Sequence, residues 1–294
     1  MQNPGYKFAY KFQFVSLILP GMLIFTIGVI FPIILAFYYS FTSWDGFSKN
    51  LPWAGLSNYI KIFTDPYAIN AWGFTIKFTI GNTIIQNVFA LLFALVLDKG
   101  IRAKKIYRTI IFIPCLVAPI VAGFIWSHVF GDVLPPIGEF LGLDNINFRL
   151  FGSSETVLTG LLIVNNWQWI GYWMLIYLAA LQSIPGEFYE AADVDGASAF
   201  QQFWHITFPM LASAFTVCIV GITIGSLKVY DLIVTSTSGG PGRASTSIIY
   251  QIYNTAISGR QYGYGSAMSI SLIFVLLIIS IVQLTVLRKR EVQL

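Results

Sequence analysis

Six long apolar stretches, parted by shorter polar ones, dominate the hydrophobic pattern of this chain. They run over 14–41, 72–97, 109–130, 156–182, 206–233 and 264–287. Each is long enough to supply the roughly 20 residues a helix needs to cross a hydrocarbon core. Lipid offers no partner to backbone N–H and C=O groups, so a crossing segment is a helix or part of a closed barrel. Continuous apolar runs, rather than alternation, predict helices. The expectation is an all-α integral membrane protein with six transmembrane helices in a single domain over 1–294. The first stretch outlasts a secretory h-region and has no small-residue cleavage pattern, so it reads as a retained span.

Composition supports this pattern. Of 294 residues, 56% are hydrophobic and 10% charged, against about 25% charged in soluble domains. Too few charges remain to cover a water-facing surface, which excludes a soluble globule. The net charge of +4 does not point to nucleic acid, because the basic residues sit at span edges rather than in one patch. Lys7 and Lys11 precede the first span. Lys99, Arg102, Lys104, Lys105 and Arg108 crowd the loop between the second and third, and Arg288, Lys289 and Arg290 follow the last. By the positive-inside rule, both termini and that loop face the cytoplasm. Cys115 and Cys218 each lie in an apolar segment, where free cysteine packs as a small hydrophobe. His128 and His205 are far apart in the chain and predict no metal site.

One cytoplasmic segment lacks positive charge altogether. Residues 183–205 hold Glu187, Glu190, Asp193 and Asp195 with no Lys or Arg. Pro185 suits the first turn of a short helix, and Glu187 and Glu190 suit its positive end. Asp195-Gly196 is a stop signal, with Gly196 expected in the left-handed region. A second short helix from Ser198 leads towards the fifth span, and Pro209 marks a break. Ala191 and Ala192 leave a shallow strip flanked by Phe188, Tyr189 and Phe203. The segment 184–205 therefore reads as a docking knob.

Glu190-Ala191-Ala192, Asp195-Gly196-Ala197, Ile206 and Pro209, after the Ile184-Pro185 lead-in, resemble the EAA loop of ABC importer permeases. Tyr230-Asp231, Thr237-Ser238-Gly239-Gly240-Pro241 and Ser245-Thr246 resemble the outer loop after the fifth span in the sugar permeases. Tyr262-Gly263-Tyr264-Gly265-Ser266-Ala267 resembles the start of their last span, and Arg108, Ile113-Pro114 and Trp126 their third. The likeness runs from about residue 70 onward and is nearest the maltose and glycerol-phosphate branch. It implies a type I ABC importer permease domain whose cytoplasmic EAA coupling helix docks on an ATP-binding subunit. By that likeness the coupling role falls on Glu190, Ala191, Ala192, Asp195 and Gly196. It also implies several partners: a second homologous permease subunit, a dimer of ATP-binding subunits, an extracytoplasmic solute-binding protein and a sugar substrate. The implied location is a bacterial or archaeal cytoplasmic membrane. No cofactor and no catalytic residue is expected in this chain, since it has no Gly-x-x-x-x-Gly-Lys-Ser/Thr phosphate loop. ATP and Mg belong to the partner ATPase.

Polar groups inside spans usually face the interior of a bundle. Asn165, Gln168, Trp169 and Tyr172 in the fourth span, and Ser226, Lys228 and Tyr230 in the fifth, are the candidate solute path. Amides can exchange hydrogen bonds with hydroxyls, and aromatic faces suit the apolar side of a sugar ring. The same amides equally suit interhelical hydrogen bonding. Lys228 and Trp169 depart from the maltose-type pattern, which leaves glycerol phosphate or another polar solute as the alternative to an oligosaccharide. A secondary transporter would want paired carboxylates within spans, and no Glu sits mid-span here. A membrane enzyme would need converging acid, base or nucleophile groups. Gly221 and Gly225, four apart, are expected to let helices approach closely.

Overall fold

The computed structural model describes residues 4–99, 102–143 and 146–290. The side chains of residues 4–14 and 290, those of Lys7, Lys11 and Arg290 among them, lie outside that description. Among the described residues the regular structure is helical, apart from one isolated antiparallel bridge between Thr42 and Trp53. The helices used below are α1 (Val15–Tyr39), α2 (Ser57–Thr64), α3 (Pro66–Asp98), α4 (Lys104–Phe112), α5 (Pro119–Phe140) and α6 (Val157–Gln182). They continue with α7 (Glu187–Val194), α8 (Ala199–Met210), α9 (Ala212–Leu227), α10 (Asp231–Ser236), α11 (Ile248–Tyr253) and α12 (Tyr262–Leu287). The chain forms two compact units, one of Met1–Thr64 with Ile252–Ile273 and one of Asp65–Gln251 with Phe274–Leu294.

In the first unit, α1 has no buried residue in its most apolar stretch among the described ones. Its C-terminal end is held by α2. The buried Asn58 donates from Nδ2 to the carbonyls of Ser40 (2.9 Å) and Thr42 (2.8 Å). Those carbonyls lie where the helix ends and leaves them without intrahelical partners. Asp45 closes the following turn by accepting from the N–H groups of Ser48 and Phe47. These bonds, that from Ser48 foremost, hold its carboxyl down at about 2. Lys61 donates to Gln261 Oε1 at 2.9 Å and lies 4.2 Å from the centre of the Tyr264 ring.

The second unit is built on α3, α6 and α9. Asp65 caps α3 by accepting from the Tyr67 N–H at 2.9 Å, with Pro66 in the first turn. One apolar cluster gathers Ala90, Met174, Tyr177, Leu178 and Cys218, and another gathers Phe74, Phe78, Phe130, Leu161 and Ile233. Gly171 sits where α6 crosses the end of α4. A Cβ there would overlap the Ile111 carbonyl oxygen. Backbone cannot swing aside as a flexible side chain can, so Gly171→Ala is expected to cost about 1–3 kcal/mol as overpacking. The check is thermal unfolding in detergent against Gly225→Ala, whose Cβ meets nothing within 4 Å. A Gly171→Ala protein as heat-resistant as that control would show the crossing to be loose.

The spans differ from the six expected. Among the described residues four helices, α1, α3, α5 and α12, are long and apolar enough to cross a membrane, or five if the bent pair α8 and α9 is one span. The expected fourth span exists as α6, a helix of 26 residues. It is not among the sufficiently apolar helices, since Asn165, Asn166 and Gln168 stand at its centre. The expected third span over 109–130 is interrupted. After α4 comes a tight turn, Ile113–Leu116, then extended Val117 and Ala118 before α5 begins at Pro119. Proline drives the residue before it out of the helical region, so Pro119 sets the start of a helix that runs on to Phe140. The expected fifth span, 206–233, is bent by 64° between α8 and α9 and stops at Leu227 rather than at residue 233. Pro209, just before the bend, cannot donate to the helix ladder.

Candidate functional site

Neighbouring segments bond much of the polar centre of α6, while Asn166 Oδ1 and Gln168 Oε1 are buried without a partner among the described residues. Asn165 Oδ1 accepts from Asn82 Nδ2 and Gln86 Nε2 of α3, each at 2.9 Å. Asn82 Nδ2 also donates to Ser226 Oγ of α9 at 3.3 Å, and Asn166 Nδ2 donates to Asn82 Oδ1 at 2.9 Å. Asn82 is fully buried. Polar side chains removed from water must find one another, and here they tie three helices together.

On one side this net opens into a cavity of about 240 Å³. Five of the seven path residues line it: Asn165, Trp169, Ser226, Lys228 and Tyr230. Side chains two apart on a helix point to opposite sides, so 226, 228 and 230 could not share a cavity on an unbroken span. The end of α9 brings them together. Lys228 (φ −98°, ψ 13°) and Tyr230 (φ −141°, ψ −61°) leave the helical path before α10 begins.

Two path residues are placed elsewhere. Gln168 is fully buried and donates from Nε2 to the Val117 carbonyl at 2.7 Å. The break before Pro119 frees that carbonyl, and Gln168 satisfies it. Tyr172 does not line the cavity. It is exposed, edge-on to Trp169 at 6.4 Å and to Trp173 at 4.9 Å between ring centres. Gln86, Trp173 and Asp231 also line the cavity and were missed from sequence. Trp173 is one turn beyond Trp169 on the same face, and Gln86 one turn beyond Asn82, so helical spacing carried a usable signal for both. The paired glycines serve different ends. Gly221 makes room for the Trp173 ring, while Gly225 is an open part of the cavity wall.

The segment after α6 folds as two short helices. Gly196 takes φ +76°, and the end of α7 is closed by Gly196 N–H to Asp193 O (3.1 Å) and Ala197 N–H to Ala192 O (2.9 Å). Ser198 opens α8 through a reciprocal cap with Gln201. Gln202 Nε2 donates to Asp193 Oδ1 at 2.6 Å and to the Ala197 carbonyl at 3.2 Å, and Tyr189 hydroxyl meets Thr207 Oγ1 at 2.9 Å. The turn is thus rigidly cross-linked. Its outer surface is uncovered: Glu190, Ala191, Asp195 and Gly196 are exposed and Ala192 is half-buried. Val194 and Phe200 are 89% and 73% exposed.

The profile of the family described as binding-protein-dependent transport system inner membrane component matches residues 86–290. The chain belongs to this family of ABC-importer permeases. Among its relatives is a probable starch degradation products transport system permease protein of Thermoanaerobacterium thermosulfurigenes, 35% identical over 94% of both chains. A multiple sugar-binding transport system permease protein of Streptococcus mutans is 31% identical over 89% of this chain and 90% of its own. An sn-glycerol-3-phosphate transport system permease protein of Salmonella choleraesuis is 32% identical over 91% of each. In fold, the permease is similar to a chain of a bacterial ABC transporter that imports the acidic polysaccharide alginate. The TM-score is 0.84 at 22% identity, covering 97% of this chain and 98% of that one. The permease is a multi-pass membrane protein consistent with the type I importer fold, and a transport component rather than an enzyme. Among its described residues no group of three or more His, Cys, Asp or Glu could hold a metal ion.

Proposed function

We propose that the permease forms, as a single domain, half of the path for a neutral sugar or oligosaccharide and is driven by a separate ATPase docked on residues 184–205. The observation that carries the substrate class is the cavity at the end of α9. It sets the rings of Trp169, Trp173 and Tyr230 beside the amides of Asn165 and Gln86, the mixture of aromatic face and hydrogen-bonding edge that a sugar ring needs. Lys228 and Asp231 both line it, so its charge is balanced rather than cationic. At about 240 Å³ it falls short of the roughly 300–1,000 Å³ of complete small-molecule sites, which fits a site completed by a second permease subunit. A solute-binding protein would deliver the sugar from outside, and ATP with Mg would be held by the ATPase pair. The relatives named for starch products and multiple sugars support the same class.

A second reading, glycerol phosphate, has its own support in Lys228 and in the relative named for that solute. Lys228→Met separates the two. Uptake of a neutral oligosaccharide by the reconstituted complex is expected to change by less than about threefold, well under the tenfold that 1.4 kcal/mol represents. Loss of a phosphate-bearing solute's uptake, by tenfold or more, would instead give the cavity to the anion.

We infer that both termini face the cytoplasm from the basic residues beside them and in the loop between α3 and α5, and that two further crossings return the 184–205 loop, which has no Lys or Arg, to the same side. In a background without Cys115 and Cys218, a membrane-impermeant thiol reagent should label Ser154→Cys from outside intact cells. It should reach Ala199→Cys only after lysis. Labelling of both in intact cells would reject this orientation.

A further inference from the structure

The five cations between α3 and α5 do more than mark topology. Lys99, Arg102, Lys104, Lys105 and Arg108 fall within ten residues, with Asp98 the acidic residue beside them. On α4 the charges lie on one arc, because Lys104, Lys105 and Arg108 are spaced to share a face. Ile106, Tyr107 and Ile110 occupy the opposite arc, and all three are more than half exposed. Between that helix and the end of α3 runs an apolar groove of about 260 Å³, lined by Phe93, Val96, Leu97, Tyr107 and Ile111. Phe93 and Val96 are themselves exposed.

We propose that this groove and the adjoining cations form a binding site for an anionic phospholipid. One acyl chain lies along Phe93, Val96 and Tyr107, and the headgroup phosphate is met by Lys104, Lys105 and Arg108. Two features select this occupant. A helix with a basic arc and an uncovered apolar arc belongs at the boundary between headgroups and chains, where both arcs are satisfied at once. Charge complementarity then chooses the headgroup: clustered Lys and Arg next to a membrane helix attract anionic lipid, at about 1 kcal/mol for each cation. The coupling residues at 190–196 lie on a separate segment with its own exposed apolar surface, so the ATPase does not require this one.

The test uses the full chain, extracted from bilayers of equal phosphatidylcholine and phosphatidylglycerol, with the retained lipid identified by mass spectrometry. The ratio of retained phosphatidylglycerol to phosphatidylcholine should exceed its bulk value by at least about fivefold, the effect of a single cation near an anionic surface. Lys104→Gln/Lys105→Gln/Arg108→Gln should return the ratio towards bulk, and the corresponding substitution of both lysines by arginine should keep it. Val96→Trp, which fills the groove without changing charge, should also lower the enrichment. No preference in the wild type overturns the site. So does an enrichment that survives Val96→Trp, since that is diffuse attraction to a basic surface. Loss of ATPase co-purification in the glutamine variant, with lipid enrichment unchanged, would make the basic helix a protein contact instead.

Discussion

Gly196→Val should leave the permease in the membrane while abolishing solute-stimulated ATP hydrolysis and uptake together. The glycine holds φ +76°, and a Cβ added there would meet no atom within 4 Å, so the cost is backbone strain rather than crowding. A β-branched residue in that region costs about 1–3 kcal/mol. The turn relieves it by unwinding, which breaks the Gly196 and Ala197 bonds that close α7. Asp193 would then be pulled from Gln202, its 2.6 Å partner on α8. A docking element that must transmit displacement loses its use when its two helices move independently. Ala192→Phe tests the same surface by bulk instead of strain, because Ala192 is half-buried beside the exposed Ala191. The measurement is ATP turnover with and without solute in proteoliposomes, alongside co-purification of the ATPase. Normal stimulation in both variants with the ATPase bound would remove residues 184–205 from the coupling path.

Trp169→Ala is the second variant with a large expected effect. Truncating a tryptophan that anchors a binding surface costs about 2 kcal/mol or more, so the solute concentration for half-maximal uptake should rise by roughly thirtyfold. Complex yield should hold, because Trp169 makes ring contact with Tyr172 rather than bracing the helix net. Asn165→Leu provides the contrast. It removes the acceptor shared by Asn82 and Gln86, and each buried donor left unpaired costs about 1–3 kcal/mol. Both yield and uptake should fall in that variant. Unchanged half-saturation in Trp169→Ala would show that the solute does not pass through this cavity.

The apolar runs by themselves determined the fold class, because lipid admits so few backbone arrangements. The left-handed turn at Gly196 was equally legible, since a helix stop by Asp-Gly depends on neighbours in sequence. Where the helices break was signalled by Pro114, Pro119 and Pro209, but a smooth hydropathy profile hides such breaks: the prolines sit among apolar residues. The consequences of the breaks belonged to the tertiary structure. Gln168 and Asn165 look alike in sequence, three residues apart on one polar stretch. One is spent on the carbonyl that the Pro119 break leaves free, while the other joins Asn82 and Gln86 at the cavity wall. Ser226, Lys228 and Tyr230 share that wall because α9 ends between them, an arrangement helical spacing forbids. Local pattern specifies which residues are polar and which must be helical. Which polar group meets which partner depends on segments some 50–150 residues apart, and only packing in three dimensions brings those together.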